Sequence, residues 1–488
     1  MLTVTGGRLL TETIRTADYA AFGVEYAPRQ WLAILRPFIQ EIADRVADTG
    51  QLQAAIPIAA NAFPNASRFF NLNSAASFAL KPEYLFGDWR VTSMFAKAPG
   101  IMSRIELDDD IEGLRSLQAI LSLGAAGSYN ARQIRRLLTD DQYGVFDELL
   151  KAGVFVSAPH EPAPFVYAGA SGIYRLQHAS LLYRTARAGV IVDPHLHSGH
   201  SVSTDIGRHD LAGHVDAILI SHFHGDHWSL STLMMFPRDT PIIVPKVPAS
   251  TIICGHMEQM LRDCGFADVR AVEWYSEPLT FGDIEVHVLP FYGEQPLRYD
   301  RPSHHAFQNW GNSYVVRSPD YTSWFLIDSG SDARGTMKEV SHYVRNRFGR
   351  VDMVLSNLRR FWVHAALYIN GGLNWLTLSP AQIEALTSMT NHMLTLGPPE
   401  VAEICSIVDA RYYLPYAHWW GRLGESGGGE DAEDPQGEVP LLRELADSIA
   451  SIQGRTQIVP WGIGDGIVCR GRSFEWVPIL KGTGTALG

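Results

Sequence analysis

Ser221-His222-Phe223-His224-Gly225-Asp226-His227-Trp228 carries four potential metal ligands in the spacing H-x-H-x-D-H. Directly before it runs Val215-Asp216-Ala217-Ile218-Leu219-Ile220, an apolar stretch of strand length and composition. The four groups therefore sit on the loop that leaves a buried strand. Alternate positions on an extended end point to one side, so His222 and His224 can grip one ion together. Asp226 and His227 lie a residue or two further on and can reach a second ion. Burying three imidazoles and a carboxylate so close together is costly without cations, because each lone pair needs a partner. A His-rich surface loop is the plain alternative, but it leaves the ligand types that recur downstream unexplained.

Those recurrences come in a definite order. Gly172-Ile173-Tyr174-Arg175-Leu176 and His178-Ala179-Ser180-Leu181-Leu182 read as a first hairpin. Gly189-Val190-Ile191-Val192-Asp193-Pro194 reads as a strand ending in Asp-Pro. After the histidine loop, Trp324-Phe325-Leu326-Ile327-Asp328-Ser329-Gly330 is an apolar strand ending in Asp-Ser-Gly, and Tyr413-Leu414-Pro415-Tyr416-Ala417-His418 is a short strand ending in His. In these pieces the chain resembles the metallo-β-lactamase superfamily, over roughly residues 170–475. The resemblance implies an α+β fold, an αββα sandwich with two metals at one edge of its sheets. It further implies Asp328 as the bridging carboxylate and His418 as the last ligand.

The departure from that pattern lies between His227 and Asp328, where hydrolytic members of the superfamily usually carry a His. Ile284-Glu285-Val286-His287-Val288-Leu289-Pro290 alternates as a strand and leads into Phe291-Tyr292-Gly293-Glu294-Gln295-Pro296. Glu294 occupies the ligand position, with His304 and His305 as the competing candidates ten residues later. The expected set is His222, His224 and Glu294 on one metal and Asp226, His227 and His418 on the other, with Asp328 between them. Glu294 and Asp328 are the residues expected to act in catalysis. Three carboxylates make a harder nest than the usual zinc set, and hard oxygen ligands favour oxidised iron. A carboxylate-rich dimetal site is also typical of diiron oxygen chemistry. The segment Leu289–Pro296 resembles that of the diiron amino-acid β-hydroxylase of chloramphenicol biosynthesis. That resemblance implies a monooxygenase with two iron ions, dioxygen as co-substrate and an external electron donor. It implies as partners a peptidyl-carrier domain bearing an aminoacyl thioester and an electron-transfer protein, and it points to a homodimer. The alternative on the same scaffold is a dizinc hydrolase of a lactone, phosphodiester or thioester. A factor with structural metals is the other alternative, but structural zinc sites are closed and usually four-ligand.

Composition bounds the rest. A chain of 488 residues, 46% hydrophobic and 19% charged, has ample core for two or three domains. A formal net charge of −12 argues against nucleic acid as a main partner. Cys254, Cys264, Cys405 and Cys469 lack C-x-x-C spacing and read as free thiols of a cytoplasmic protein. No apolar run is long enough for a membrane span, and no dinucleotide or Walker motif appears.

Only His160 of the 18 histidines precedes residue 170, so the first part of the chain is not where the metals are. Residues 1–165 are expected to form an accessory and dimerisation region, and 166–488 the dimetal catalytic domain. Within the first, 28–48 has helical spacing opened by Pro28. Residues 110–157 read as three helices and a strand, resembling a winged helix. Arg132, Arg135 and Arg136 do not make a basic face in an acidic protein, so this region reads as a packing or interaction module. The aromatic-rich stretch 359–378 is a candidate channel lining. The glycine- and acid-rich stretch 424–437 reads as a surface loop or lid.

Overall fold

The computed structural model describes residues 111–159, 171–196, 206–247, 254–294, 308–361, 393–417 and 438–478, apart from 212, 471 and 472. Ahead of these it describes strand and helix segments within residues 3–106. Two sheets face each other. The first has eight strands, in the order Val269–Val272, Ile242–Pro245, Ala217–Leu219, Gly189–Val192, Leu181–Arg184, Gly172–Arg175, Asp465–Arg470 and Ser473–Pro478. The second has seven, in the order Leu279–Phe281, Ile284–Pro290, Asn312–Arg317, Thr322–Ile327, Met353–Ser356, Tyr412–Pro415 and Gln457–Ile458. In each sheet an antiparallel half joins a parallel half of four strands.

Strand alternation explains the layers. Val190, Val192, Ala217 and Leu219 meet Val286, Val288, Phe325 and Leu355 of the other sheet in the central core. Ile191 and Ile218 turn the opposite way, into the core beneath the helices of the first sheet. Trp324, Leu326 and Val354 do the same under helices Met337–Phe348, Pro398–Ile407 and Glu438–Ser451. Parallel strands buried on both faces read as continuous apolar runs, which is why period-two patterning is faint in them. Each fully buried Val, Leu or Ile stabilises the fold by roughly 1.5–3 kcal/mol. The result is an α+β sandwich of four layers, helices–sheet–sheet–helices, as the resemblance implied.

The helices between residues 111 and 151 belong to the outer layer of the first sheet. Ile111–Ala125 buries Leu114, Leu117, Ile120 and Leu121 in the same core as Ile218, Met234 and Phe236. Its Gln118 Nε2 donates to the Phe236 carbonyl at 2.8 Å. Asn130 and Thr139 each close a capping box, so Ala131–Leu137 and Asp140–Lys151 start where their sequence signals place them. Gly153, at φ +75°, turns the chain into strand Phe155–Pro159, which pairs with Glu12–Thr16. Arg135 is spent locally, paired with Asp140 and lying 4.8 Å above the Tyr143 ring centroid.

Pro28 does not open a helix. It ends strand Ala21–Pro28, which pairs with Trp89–Ala98, and a strand end tolerates a residue with no backbone N–H. The remainder of that expected helix lies mostly outside the described residues, as do 424–437 and all but the start of 359–378. Cys254, Cys264, Cys405 and Cys469 are free thiols. Among the described residues no helix is long and apolar enough to cross a membrane.

Candidate metal centre

The histidine loop and Asp328 leave the carboxyl ends of strands with parallel neighbours, where open sheets commonly gather functional groups, while Glu294 follows the antiparallel strand Ile284–Pro290. Ala217–Leu219 ends just before Ser221, whose N–H and hydroxyl both donate to Asp193, at 2.7 and 2.5 Å. Asp193 ends the neighbouring strand Gly189–Val192. His222 forms a bridge to Gly311, and the Asn312 N–H donates to the Ser221 carbonyl at 2.7 Å, which ties the loop to the second sheet. A tight turn then brings His227 back, because the N–H groups of His227 and Trp228 both donate to the His224 carbonyl.

Glu294 arrives from the second sheet. Strand Ile284–Pro290 ends, Phe291 stacks on His222 with centroids 5.0 Å apart, and the backbone turns left-handed at Gly293 (φ +95°) and Glu294 (φ +48°). A Cβ at Gly293 would lie 2.3 Å from the Leu394 carbonyl oxygen, so only glycine fits there. The Glu294 N–H donates to that same carbonyl at 3.0 Å. Its side chain, 5% exposed, puts Oε2 3.2 Å from His222 Nε2 and 3.1 Å from His224 Nδ1. Asp328 follows Ile327, which sits at φ +54° where the register shifts, and its Oδ2 lies 2.9 Å from His227 Nε2. A β-branched residue at positive φ is an outlier. Of the eight non-glycine residues at positive φ among those described, His178, Asp193, Glu294, Ile327 and Ala417 lie in or next to this centre. Strain concentrated there is paid by the surrounding packing and fixes where the side chains project.

The structure thus brings together His222, His224 and Glu294, and separately His222, His227 and Asp328, with one donor atom from each residue inside a 4.8 Å span. Asp226 joins a third grouping, with His227 and a residue not expected as a ligand, His178. His178 was read as the start of the second hairpin strand. It lies instead in the turn, since that strand begins at Leu181, and its Nε2 is 3.0 Å from Asp226 Oδ2. The only signal for it in sequence is a histidine among turn residues of an otherwise apolar hairpin. His418, His304 and His305 lie outside the described residues.

The donor set fits metal ions. His222 Nε2 and Glu294 Oε2 are buried, face each other at 3.2 Å and, among the described residues, have no hydrogen bond of acceptable geometry. Behind the ligands, Ser221 Oγ lies 2.9 Å from His222 Nδ1 and Asp193 Oδ2 lies 3.0 Å from His227 Nδ1. Such partners fix the tautomer and leave Nε2 to face an ion. Burial lowers the His222 imidazole, helped by His227 and His224 beside it. Burial also acts to lower His227, but Asp226 and Asp328 outweigh it and raise that imidazole well above its ordinary range. Loss of water acts to raise Asp226, but His227 and His178 outweigh it and hold the carboxyl well below its ordinary range.

These directions predict a pH signature. In protein stripped with a chelator, the protonated His227 stabilises the fold fully below about pH 6.5, and that contribution is lost as pH rises through its raised value. The Asp226 contribution is present above about pH 3.9 and is lost only as pH falls through its depressed value. Metal binding needs neutral imidazoles, so the loaded protein moves the other way. The difference in melting temperature between loaded and stripped protein should therefore widen from about pH 6 to pH 9. Calorimetry at matched ionic strength measures it, and a gap that narrows with pH contradicts the assignment.

No family model matches the chain. The chain is 32% identical over 222 residues to the 4-amino-L-phenylalanyl-[CmlP-peptidyl-carrier-protein] 3-hydroxylase of Streptomyces venezuelae, a match covering 43% of this chain and 39% of that protein. The chain thus spans about two fifths of the length of that curated relative. Among solved structures, CmlA, a diiron β-hydroxylase from Streptomyces venezuelae, superposes with a TM-score of 0.56 at 17% identity, over 93% of this chain and 99% of that one. A single-residue mutant of the same β-hydroxylase gives 0.55 at 16% identity, over 91% and 98%. The chain therefore shares, over nearly its whole length, the fold of that β-hydroxylase structure, and it gathers a histidine–carboxylate cluster of its own.

Proposed function

We propose that this chain is a two-metal oxygenase, with iron as the resident metal, that hydroxylates an amino acid held as a thioester on a peptidyl-carrier domain. The observation that carries this reading is Glu294, placed within 3.2 Å of both His222 and His224 where hydrolytic members of the superfamily have a histidine. Its support is the similarity to a hydroxylase whose substrate, by its name, is an aminoacyl group on a carrier protein. The β-carbon is the position we assign, by the same likeness.

His222, His224 and Glu294 would hold one ion, Asp226, His227 and His418 the other, and Asp328 would bridge them. Two irons would supply dioxygen reduction and the power to oxidise a C–H bond. Conversion of C–H and O2 to C–OH and water consumes two electrons and two protons, so an external electron donor is part of the proposal. The residues supply the rest. Ser221 and Asp193 keep the rings of His222 and His227 in one tautomer. The backbone of Glu294 is pinned, while its carboxylate can bind through one oxygen or two. Residues 1–165 we assign to dimer formation and to receiving the carrier, with 110–157 as a winged-helix-like docking module.

Metal analysis tests the core of this reading. Protein produced with both iron and zinc available should hold close to two irons per chain and show a near-ultraviolet oxo-bridged absorption. Two zinc ions and no iron would sink the oxygenase and leave the dizinc hydrolase.

A further inference from the structure

We infer that His178 is itself a ligand of the second metal, through Nε2, alongside Asp226 and His227. The inference rests on the two-metal reading above and extends it by one residue. His178 Nε2 lies 3.0 Å from Asp226 Oδ2, and His227 Nε2 lies 3.5 Å from the same oxygen. With metal–ligand bonds of about 2.0–2.1 Å, neighbouring ligand atoms around one ion stand roughly 2.9–3.4 Å apart. The 3.0 Å between His178 Nε2 and Asp226 Oδ2 falls in this range and the 3.5 Å to His227 Nε2 lies just above it, while Glu294 Oε2 stands 3.2 and 3.1 Å from His222 and His224. The two rings do not stack, since His178 and His227 meet edge to face with centroids 5.6 Å apart. Both imidazoles thus offer Nε2 to one oxygen from different directions, as ligands of a common ion do.

The chain is built to hold His178 in this place. Its side chain is 8% exposed, and its backbone sits at φ +45°, uncommon for a residue other than glycine. The turn is closed by Ser180 N–H donating to the Gln177 carbonyl at 2.8 Å and by Leu176 N–H donating to the Ser180 carbonyl at 2.9 Å. Ser180 Oγ then donates to the Asp193 carbonyl at 2.7 Å. Asp193 is the residue that orients His227, so one short network sets both histidines relative to each other. A surface histidine needs none of this. A third nitrogen ligand would also make the second position richer in imidazole than the first, so the two irons would be inequivalent.

The competing account is that His178 only donates a hydrogen bond to Asp226. Two variants separate the accounts. His178→Gln keeps an N–H donor of similar reach but is a poor ligand, and His178→Ala keeps neither. Stripped full-length protein is titrated with cobalt(II), reading the number of ions bound, their affinities and the visible ligand-field bands. If His178 is a ligand, both variants bind the first ion like the parent and bind the second at least tenfold more weakly, with altered bands for that ion alone. If His178→Gln binds the second ion with the parent's affinity and bands, the inference is overturned, whatever His178→Ala does. Should His178→Ala fail to fold, the glutamine variant decides. A parent protein that takes up only one cobalt overturns the two-metal reading instead, which is a different outcome from a parent with two and a variant with two.

Discussion

Glu294→Ala is expected to lose one of the two metal ions and to lower oxygen-dependent turnover by more than ~100-fold. His304→Ala and His305→Ala should keep both ions. The size of the effect follows from the position. Glu294 Oε2 is the only carboxylate oxygen that faces both His222 and His224 among the described residues, at 3.2 and 3.1 Å. Its burial acts to raise the carboxyl, but those two imidazoles outweigh burial and hold it ionised, below the usual carboxylate range. Alanine leaves two neutral rings and no counter-charge, and two imidazoles do not retain a trivalent ion well against solvent. Metal content before and after brief chelation, with the near-ultraviolet spectrum, reads the result. A His304 or His305 variant that loses metal while Glu294→Ala keeps it would move the third ligand to the histidine pair.

An aminoacyl thioester on its carrier should be turned over more than ~100-fold faster, in kcat/KM, than the free amino acid. Docking of a carrier supplies binding energy remote from the reacting carbon. Such energy can be used to position that carbon instead of merely tightening binding. The helices at 111–151 are part of the region we assign to that role. They are rigidly packed on the outer face of the first sheet, through Leu114, Leu117, Leu121 and Phe146, and are not a loose appendage. Single-turnover reaction of the reduced protein with loaded carrier, empty carrier and free amino acid separates the cases. Equal rates with the free amino acid would remove the carrier from the proposal and leave the metal assignment standing.

Much of the centre was legible in the residues themselves. H-x-H-x-D-H after an apolar strand sets four potential donors on one loop by local geometry alone, and in the structure the His222 ring stands with its centroid 4.5 Å from that of His224 and 4.3 Å from that of His227. Asp328 was legible for a similar reason, because a strand that ends abruptly in Asp-Ser-Gly projects a carboxylate from its end. Helix starts at Ala131 and Asp140 are set by capping boxes, which are local chemistry. Pro28 misled, since its fixed φ suits a helix start and a strand end alike, and only its partner Trp89 decides.

Glu294 and His178 mark the other limit. Sequence could nominate Glu294 against His304 and His305, but spacing along a loop does not say which side chain turns inward. Glu294 is turned towards His222 and His224 by the left-handed pair Gly293–Glu294, beside a Leu394 carbonyl that lies where a side chain at 293 would stand. His178 had no pattern at all, because its partner Asp226 is 48 residues away and meets it only when the first hairpin packs beside the histidine loop. The sequence alone determined the ligand types, the strands that carry them and the layered fold. The tertiary structure alone decided which donor side chains lie side by side, because that depends on contacts between segments far apart in the chain, and no local preference encodes them.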